Sequence, residues 1–277
     1  MTLIYNNWRR ILKREYKKYF VAFMDILGYK NLVAEMEQNE INALNMISRL
    51  EEMIEKCIKD NMKSLVRHSS FGVEYKLFSD SLCIFIPADE SEEGEKFEIY
   101  KNHSKRYIEN NYIRLWLLCN IVANIQLDSM QYGIIFRGAI SFGNHFHNEN
   151  IIFSKALIDA YYAESEQAIY PRVILLHNSE NDILELLPVL YEYYDLKVAL
   201  DDDYLFVDYL ERINDFRWLL DSGCDYIKWH KNIIQNGMKK FSNKDNLYIK
   251  YVWMMNYHNN KLVPIFGDSV FVYDFLN

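Results

Sequence analysis

Two aspartates, each next to short apolar segments, are the residues of this sequence best placed to do chemistry. Asp25 follows the apolar run 20–24, and Asp80 stands between the segments 74–78 and 81–86. Carboxylate oxygens of this kind bind Mg²⁺, while water and substrate phosphates complete its coordination shell. The pair therefore predicts a phosphoryl-transfer site that uses two cations.

Asp25 by itself has two interpretations. The apolar run before it is typical of a buried strand, where a carboxylate is costly unless a cation or hydrogen bonds compensate its charge. Aspartate is also a favoured N-cap, and a helix is expected to begin near Tyr29. Asp25 is therefore either a metal ligand or a helix cap, and the presence of Asp80 favours the metal ligand.

The hydrophobic pattern predicts the elements that would position these aspartates. The first half begins with a strand that ends near Asp25, followed by helices at 29–36 and 40–65, the second with Asn39 as N-cap, and a hairpin with its turn at 79–81. A helix is expected at 97–129, then a strand at 134–142 broken by Gly138 and a turn at Gly143 and Asn144. A helix at 154–167 and a strand at 171–176 follow. This order indicates an α+β fold in which helices cover one face of a mostly antiparallel sheet.

The last third of the chain contains no catalytic motif. The pattern there predicts a helical insert at 182–195, a solvated hairpin turn at 201–203, and aromatic-rich helices at 212–241 and 246–259 with Gly223 and Gly237 as possible breaks. We expect these helices to cap the domain or to form part of a dimer interface.

Composition argues against several classes of protein. The chain of 277 residues has a net charge of −8, whereas proteins that coat nucleic acid usually present a basic face. No segment reaches the roughly 18 uninterrupted apolar residues that a membrane span requires. The first twenty residues carry six basic side chains without an apolar core, unlike a signal peptide. We therefore expect a cytoplasmic protein with no nucleic-acid partner and no membrane span.

Histidines and cysteines offer metal ligands only in principle. His145 and His147 alternate, so both would lie on one face of a strand. We expect an exposed hairpin tip there, since zinc needs three or four ligands. The cysteines are far apart in sequence, and Cys83 and Cys119 are predicted to be small buried hydrophobic residues.

Three segments of the chain, taken in order, resemble the motifs of class III nucleotide cyclases. Residues 23–29 resemble the first metal-binding motif: aromatic, any residue, Asp, Ile, any residue, Gly, aromatic. Residues 76–80 are similar to the second motif, in which Lys stands four positions before the metal-binding Asp, although Ser79 replaces the family's Gly. Residues 136–143 resemble a strand of Arg, small, apolar and closing Gly residues. The resemblance covers roughly residues 19–176.

The resemblance implies a domain organisation. Residues 19–210 would form a palm-like (ferredoxin-like) cyclase domain. A basic helical segment at 1–18 would precede it, and a helical extension at 211–277 would pack on the same domain. The cyclases that the chain resembles work as head-to-tail dimers with the site between subunits, so a homodimer is implied.

The resemblance also implies roles for individual residues. Two Mg²⁺ or Mn²⁺ ions would be held by Asp25 and Asp80 with help from the carbonyl of Ile26. These ions would bind a nucleoside triphosphate, which is converted into a 3′,5′-cyclic nucleotide and pyrophosphate. Lys76, at the family's base-reading position, would contact the nucleobase.

The chain departs from the family where the transition state is stabilised. The family has Asn and Arg on the helix after the third motif, and the corresponding positions hold Ile158 and Tyr162. Neither side chain can supply the positive charge that the reacting phosphorus requires. Either Arg137, Lys155, Arg172 or another cation replaces them, or the site is catalytically weak or silent. Arg137 is preferred to Lys155, because a guanidinium binds two phosphate oxygens at once.

Three functional hypotheses follow. A compact chain without sensor or membrane modules and with altered transition-state positions looks more like the pyrimidine cyclases of Pycsar antiphage systems than like adenylate cyclases. Such an enzyme would make cUMP or cCMP for a separate effector protein. The second hypothesis is a catalytically silent protein of the same fold that signals by binding a nucleotide. The third is a palm-type polymerase or dinucleotide cyclase, which would use the same two carboxylates.

Overall fold

The apolar segments next to the two aspartates form neighbouring strands of one mixed sheet. The computed structural model describes residues 16–37, 40–64, 72–88, 96–101, 104–176, 183–188, 196–215 and 222–274. The fold belongs to the α+β class, as the element order predicts.

The bounds of the described elements are as follows. The strands are β1 Lys17–Ile26, β2 Glu74–Phe78, β3 Ser81–Pro87, β4 Lys96–Lys101, β5 Ser104–Glu109, β6 Phe136–His147, β7 Ile152–Ser154, β8 Val173–Leu175, β9 Val198–Asp201 and β10 Tyr204–Val207. The α-helices are α1 Tyr29–Met36, α2 Glu40–Ser64, α3 Asn110–Ser129, α4 Lys155–Glu166, α5 Arg212–Asp215, α6 Ser222–Lys240 and α7 Asp245–Phe266. Single 3₁₀ turns occupy Met130–Tyr132, Ile183–Leu186, Tyr209–Glu211 and Asp268–Val270.

The main sheet has the strand order β2-β3-β1-β6-β8-β10-β9, and β7 adds to β6. Neighbouring strands are antiparallel except for β6 and β8, which are joined by the crossover helix α4. Every residue of 20–24 and 81–86 is buried, although successive side chains of a strand point to opposite faces of the sheet. Both faces of the sheet are therefore covered at β1 and β3, not one face as predicted, because these strands are continuous apolar runs.

Several predicted elements are confirmed. Helix α1, the hairpin of β2 and β3, and helix α4 lie where the pattern placed them. Ser154 caps α4, since its Oγ accepts a hydrogen bond from the Leu157 N–H at 2.9 Å. Cys83 and Cys119 are buried, and Asp202 and Asp203 form the exposed turn of the hairpin β9–β10.

The prediction of one helix at 97–129 is wrong in its first half. Residues 96–101 and 104–109 pair as the antiparallel hairpin of β4 and β5. Only Asn110–Ser129 is helical. Phe97 and Ile99 alternate with charged residues, and this period of two favours a strand.

Strand β6 is longer than predicted. Gly138 does not break it, and Gly143 and Asn144 are strand residues paired with β1 rather than a turn. The turn lies farther along, where Asn148 Oδ1 accepts hydrogen bonds from two following backbone N–H groups. His145 is fully buried, so the exposed histidine tip was a wrong prediction.

The buried histidines of β6 form a hydrogen-bonded chain with the edge of the sheet. His145 Nε2 lies 2.8 Å from His147 Nδ1, and His147 Nε2 lies 2.9 Å from Glu74 Oε2. Burial, together with the neighbouring His147, lowers the pKa of His145 to about 3. The pair therefore helps to join β6 to β2, and it does so with His145 neutral at physiological pH.

Other boundaries also differ from the predictions. Lys17 and Lys18 of the predicted basic helix begin β1, while residues 1–15 and the predicted cap Asn39 lie outside the described residues. In the predicted insert at 182–195, the described residues form a 3₁₀ turn at Ile183–Leu186 and its short continuation.

The two C-terminal helices pack on the sheet core. Gly237 does not break α6, which continues to Lys240. The glycine is needed for packing, because a side chain at this position would collide with the ring of Tyr251 in α7. Helix α7 extends to Phe266, beyond the predicted end at 259. Buried Tyr257 of α7 belongs to the same apolar cluster as the strands, and its hydroxyl donates to Asp208 at 2.6 Å. Within the described residues, no helix is long and apolar enough to cross a membrane.

Gly138 sets the spacing between β1 and β6. A Cβ atom at this position would lie 2.1 Å from the carbonyl oxygen of Phe23, which is a backbone clash. We expect Gly138→Ala to lower the free energy of unfolding by about 1–3 kcal/mol or more. Gly143→Ala on the same strand is the control, since the added Cβ would lie 3.6 Å from its nearest neighbour. Urea unfolding measures both variants, and equal stabilities would contradict this account.

Candidate active site

The structure brings Asp25 and Asp80 together. Asp25 lies near the end of β1, opposite Ser81 of β3. The backbone N–H of Ile26 donates to the carbonyl oxygen of Asp80 at 2.9 Å, which ties the β2–β3 turn to the end of β1. The two carboxyl groups are within hydrogen-bonding reach of each other. The proximity predicted from the sequence is therefore present.

Crowding of carboxylates changes the ionisation of Asp25. Burial, and then the negative charges of Glu164 and Asp80, raise the pKa of Asp25 to about 6, although Arg137 opposes the shift. The protonated form is further favoured because it donates a hydrogen bond to Asp80. A bound cation would remove this repulsion, since it attracts both carboxylates.

The turn between β2 and β3 explains one departure from the cyclase motif. Ser79 has φ of 55°, in the left-handed region. Glycine adopts this conformation at little cost, which is why a glycine suits this position. Ser79 keeps the same turn at some cost in strain, so the substitution leaves Asp80 at the strand junction.

Arg137 lies directly across the sheet from Asp25, its partner in the β1–β6 register. Its Nη2 is 2.6 Å from Oε1 of Glu164 and 3.6 Å from Oδ2 of Asp25. Its Nη1 also donates to the carbonyl oxygen of Ala168 at 3.4 Å. Arg137 is thus held between two carboxylates, at the position from which a guanidinium could reach a bound phosphate.

Glu164 is a site residue that the sequence reasoning missed. Its side chain is only 5% exposed and lies on the buried face of α4, which it shares with Ala156, Ala160 and Ala163. A carboxylate is seldom buried without a partner. In the sequence, an acidic residue on the same helix face as several alanines was therefore the signal that could have revealed Glu164.

Lys155 lies at the first turn of α4 and is mostly exposed. Its ammonium forms an ion pair with Asp159 in the same helix. Ile158 and Tyr162, at the positions of the missing Asn and Arg, are 52% and 55% exposed. These three side chains therefore lie toward solvent, whereas Arg137 contacts Asp25.

Arg172, the remaining candidate cation of this region, has a different environment. It is fully buried, forms an ion pair with Asp201 of β9, and lies against the rings of Tyr170 and Trp253. Trp253 Nε1 donates to the same Asp201 carboxylate at 2.7 Å. This arrangement connects β8, the β9–β10 hairpin and α7.

Lys76, the predicted base-reading residue, lies in the edge strand β2 opposite Cys83 and is half-buried. Two clefts adjoin Ile26. One, of about 640 Å³, is mostly apolar and is lined by residues of α1, α2 and β2 with Ser79. The other, of about 180 Å³, runs past Gly28 to Lys240 and is more polar. The end of β1 is thus accessible from both sides of α1.

The donor set matches a cation that brings part of its own coordination shell. In the described part of the chain, no group of three or more His, Cys, Asp or Glu side chains is arranged to hold a metal ion. Asp25 and Asp80 provide two carboxylates, and Mg²⁺ is commonly bound by one or two carboxylates with substrate phosphates and water. The residues present therefore fit magnesium or manganese with a phosphorylated substrate better than a closed metal site.

Comparison of the sequence with known protein families finds no match, and comparison with curated proteins also finds none. The cyclase resemblance therefore depends on the three motifs alone. A function for this protein has to be argued from the geometry of the site.

The raised pKa of Asp25 predicts an unusual pH dependence of stability. Between its ordinary value of 3.8 and about 6, the folded protein retains a proton that the unfolded chain has lost. The contribution of Asp25 to the free energy of unfolding is therefore complete below pH 3.8 and is lost as the pH rises through about 6. Asp25→Asn removes this loss, because the amide carries no charge.

We expect Asp25→Asn to gain stability relative to the wild type as pH rises from 4 to about 6.5 in metal-free buffer. Thermal unfolding at several pH values measures the difference. Asp203→Asn, in an exposed turn where φ is 65°, is the control, since asparagine tolerates this conformation. A stability difference between Asp25→Asn and wild type that stays constant with pH would show that the pKa of Asp25 is not raised in the folded protein.

Proposed function

We propose that the protein is a nucleotide cyclase similar to the class III enzymes. It converts a nucleoside triphosphate into a 3′,5′-cyclic nucleotide and pyrophosphate. The observation that carries the proposal is the position of Asp25 and Asp80 at the junction of β1 and the β2–β3 turn, where Asp25 is opposite Ser81 and the Ile26 N–H donates to the carbonyl oxygen of Asp80 at 2.9 Å. The two aspartates come from separate motifs, and the cyclase resemblance requires them to meet.

The order of strands supports the same reading of the fold. The hairpin that carries Asp80 lies beside β1, and β6, with the third motif, lies on the other side of β1. All three motifs are thus on adjacent strands. This is the arrangement expected for a palm-like domain, in which the metal-binding residues lie at neighbouring strand ends.

Each residue has a distinct part in the proposed reaction. Asp25 and Asp80, with the carbonyl of Ile26, hold two Mg²⁺ or Mn²⁺ ions. When bound, these ions lower the pKa of the ribose 3′-hydroxyl and neutralise charge on the leaving pyrophosphate. Lys76 contacts the nucleobase. Arg137 orients the phosphates. When it binds them, contacts to phosphate oxygens replace part of its interaction with Asp25 and Glu164.

The proposed biological setting is the one that the resemblance to pyrimidine cyclases implies. The product is a pyrimidine cyclic nucleotide, cUMP or cCMP, which a separate effector protein binds during antiphage defence. The reaction uses a small nucleotide substrate in the cytoplasm, without nucleic acid.

One observation favours a second function. Ile158 and Tyr162 replace the polar residues of the family, and Arg137 is already paired with Glu164 at 2.6 Å. A protein with this site could bind a triphosphate without turning it over, and then signal through altered contacts with a partner. The product assay below separates the two functions.

We expect purified protein, incubated with the four nucleoside triphosphates and Mn²⁺, to release a cyclic mononucleotide that mass spectrometry identifies. Asp25→Asn and Asp80→Asn should each lower the rate by about 10²-fold or more, because each removes a ligand charge. Asp203→Asn, in the exposed turn, should keep the wild-type rate.

Each alternative result has a meaning. The N-cap of α1 is Gly28, so Asp25 does not cap this helix and the alternative role expected from the sequence is wrong. Full activity in Asp25→Asn would exclude the metal-ligand role as well, since an amide does not supply the negative charge that holds a divalent cation. A linked dinucleotide would indicate a palm-type polymerase or dinucleotide cyclase. Unchanged triphosphate that still binds would indicate the silent signalling protein.

A homodimer is part of the proposal. The outer face of α4 exposes Ile158, Tyr161 and Tyr162, each at least half exposed, and clustered apolar side chains of this kind favour a contact surface. We expect light scattering to give twice the chain mass of 33.3 kDa. Ile158→Glu should shift the protein toward monomer, whereas Ile249→Glu, on the exposed side of α7, should not. A monomer at concentrations where the enzyme is active would contradict this prediction.

A further inference from the structure

Helix α7 directs one lysine toward the interior of the protein. Residues spaced three, four and seven apart share one face of a helix, and Lys250 shares such a face with Trp253, Met254 and Tyr257. Met254 and Tyr257 are buried, and Trp253 is half-buried. Lys250 is itself half-buried at the start of this stripe, so it belongs to the packed side of α7.

Two neighbours of Lys250 show what this side of α7 meets. Trp253, one turn later, stacks on Tyr170 with ring centroids 5.6 Å apart and donates to Asp201. Tyr251, the next residue, lines the cleft at the end of β1. The face of α7 that carries Lys250 therefore packs against the segment that follows α4, where Nη1 of Arg137 donates to the carbonyl oxygen of Ala168.

The charges that act on Lys250 are those of the active site. Burial, followed by repulsion from Arg137, lowers the pKa of Lys250 below its ordinary value, while Glu164 and Asp25 oppose the shift. Among the described residues, no carboxylate forms a direct ion pair with Lys250. Arg137, by contrast, is bonded to Glu164. The ammonium group of Lys250 is therefore available for a bound anion.

We propose that Lys250 is a polyphosphate-binding residue of this site, supplied by the C-terminal helix α7. The identity of the anion as a nucleoside triphosphate rests on the proposed function. An ammonium group offers three donors to phosphate oxygens and provides positive charge that Ile158 and Tyr162 cannot. The C-terminal helices are then part of the active site, and not only a cap on the domain.

Binding of inorganic tripolyphosphate with Mg²⁺, measured by titration calorimetry on the full chain, tests the role without chemistry or a nucleobase. We expect Lys250→Met to bind at least about tenfold more weakly, as for loss of a charged hydrogen bond. Lys250→Arg should restore most of the affinity, because it keeps the charge. Lys228→Met is the matched control, since this lysine of α6 is 69% exposed and paired with Asp225.

Thermal unfolding of each variant separates binding from folding, and Lys250→Gln provides a second uncharged variant if the methionine variant does not fold. Wild-type affinity in a folded Lys250→Met or Lys250→Gln protein would overturn the inference and leave the proposed function intact. Lysine-dependent binding without any cyclic product would support the inference and contradict the proposed function. A wild-type protein that binds no tripolyphosphate would overturn both.

Discussion

The site depends on one guanidinium held between two carboxylates, a buried one of Glu164 and a half-buried one of Asp25. Arg137 contacts both Glu164 and Asp25, and without it these acids would face each other in a poorly solvated region. Removing one partner of a buried charge cluster leaves the others uncompensated, which is far more costly than losing a surface pair. The close approach of β1 and β6 at Gly138 makes this arrangement possible, because it places Arg137 directly opposite Asp25.

Arg137 compensates the negative charge of the neighbouring carboxylates only in part. The pKa of Asp25 is still raised to about 6, first by burial and then by the negative charges of Glu164 and Asp80, and Arg137 offsets this shift only in part. An excess of this kind is a suitable environment for divalent cations. The same local charge therefore explains the perturbed carboxyl group and supports the proposed chemistry.

The C-terminal helices are joined to the site through a second buried arginine. Arg172 and Trp253 share the carboxylate of Asp201, which fixes α7 against β9 and the end of β8. Arg172 thus holds α7 against the sheet, although its type and location in the sequence made it a candidate for the cation that stabilises the transition state. By fixing α7, it also fixes the helix face that carries Lys250.

The sequence by itself determined the local elements: β1, the β2–β3 turn with Asp80, and helices α1 and α4. Each depends on a short pattern, such as an apolar run or a capping serine, whose physics acts within a few residues. Tertiary structure decided the extent of β6, whose pairing with β1 carries it through Gly143, and the hairpin at 96–109. It alone brought Asp25 and Glu164 to the same guanidinium, because the relative positions of residues more than a hundred positions apart depend on how whole elements pack, and no local pattern records that packing.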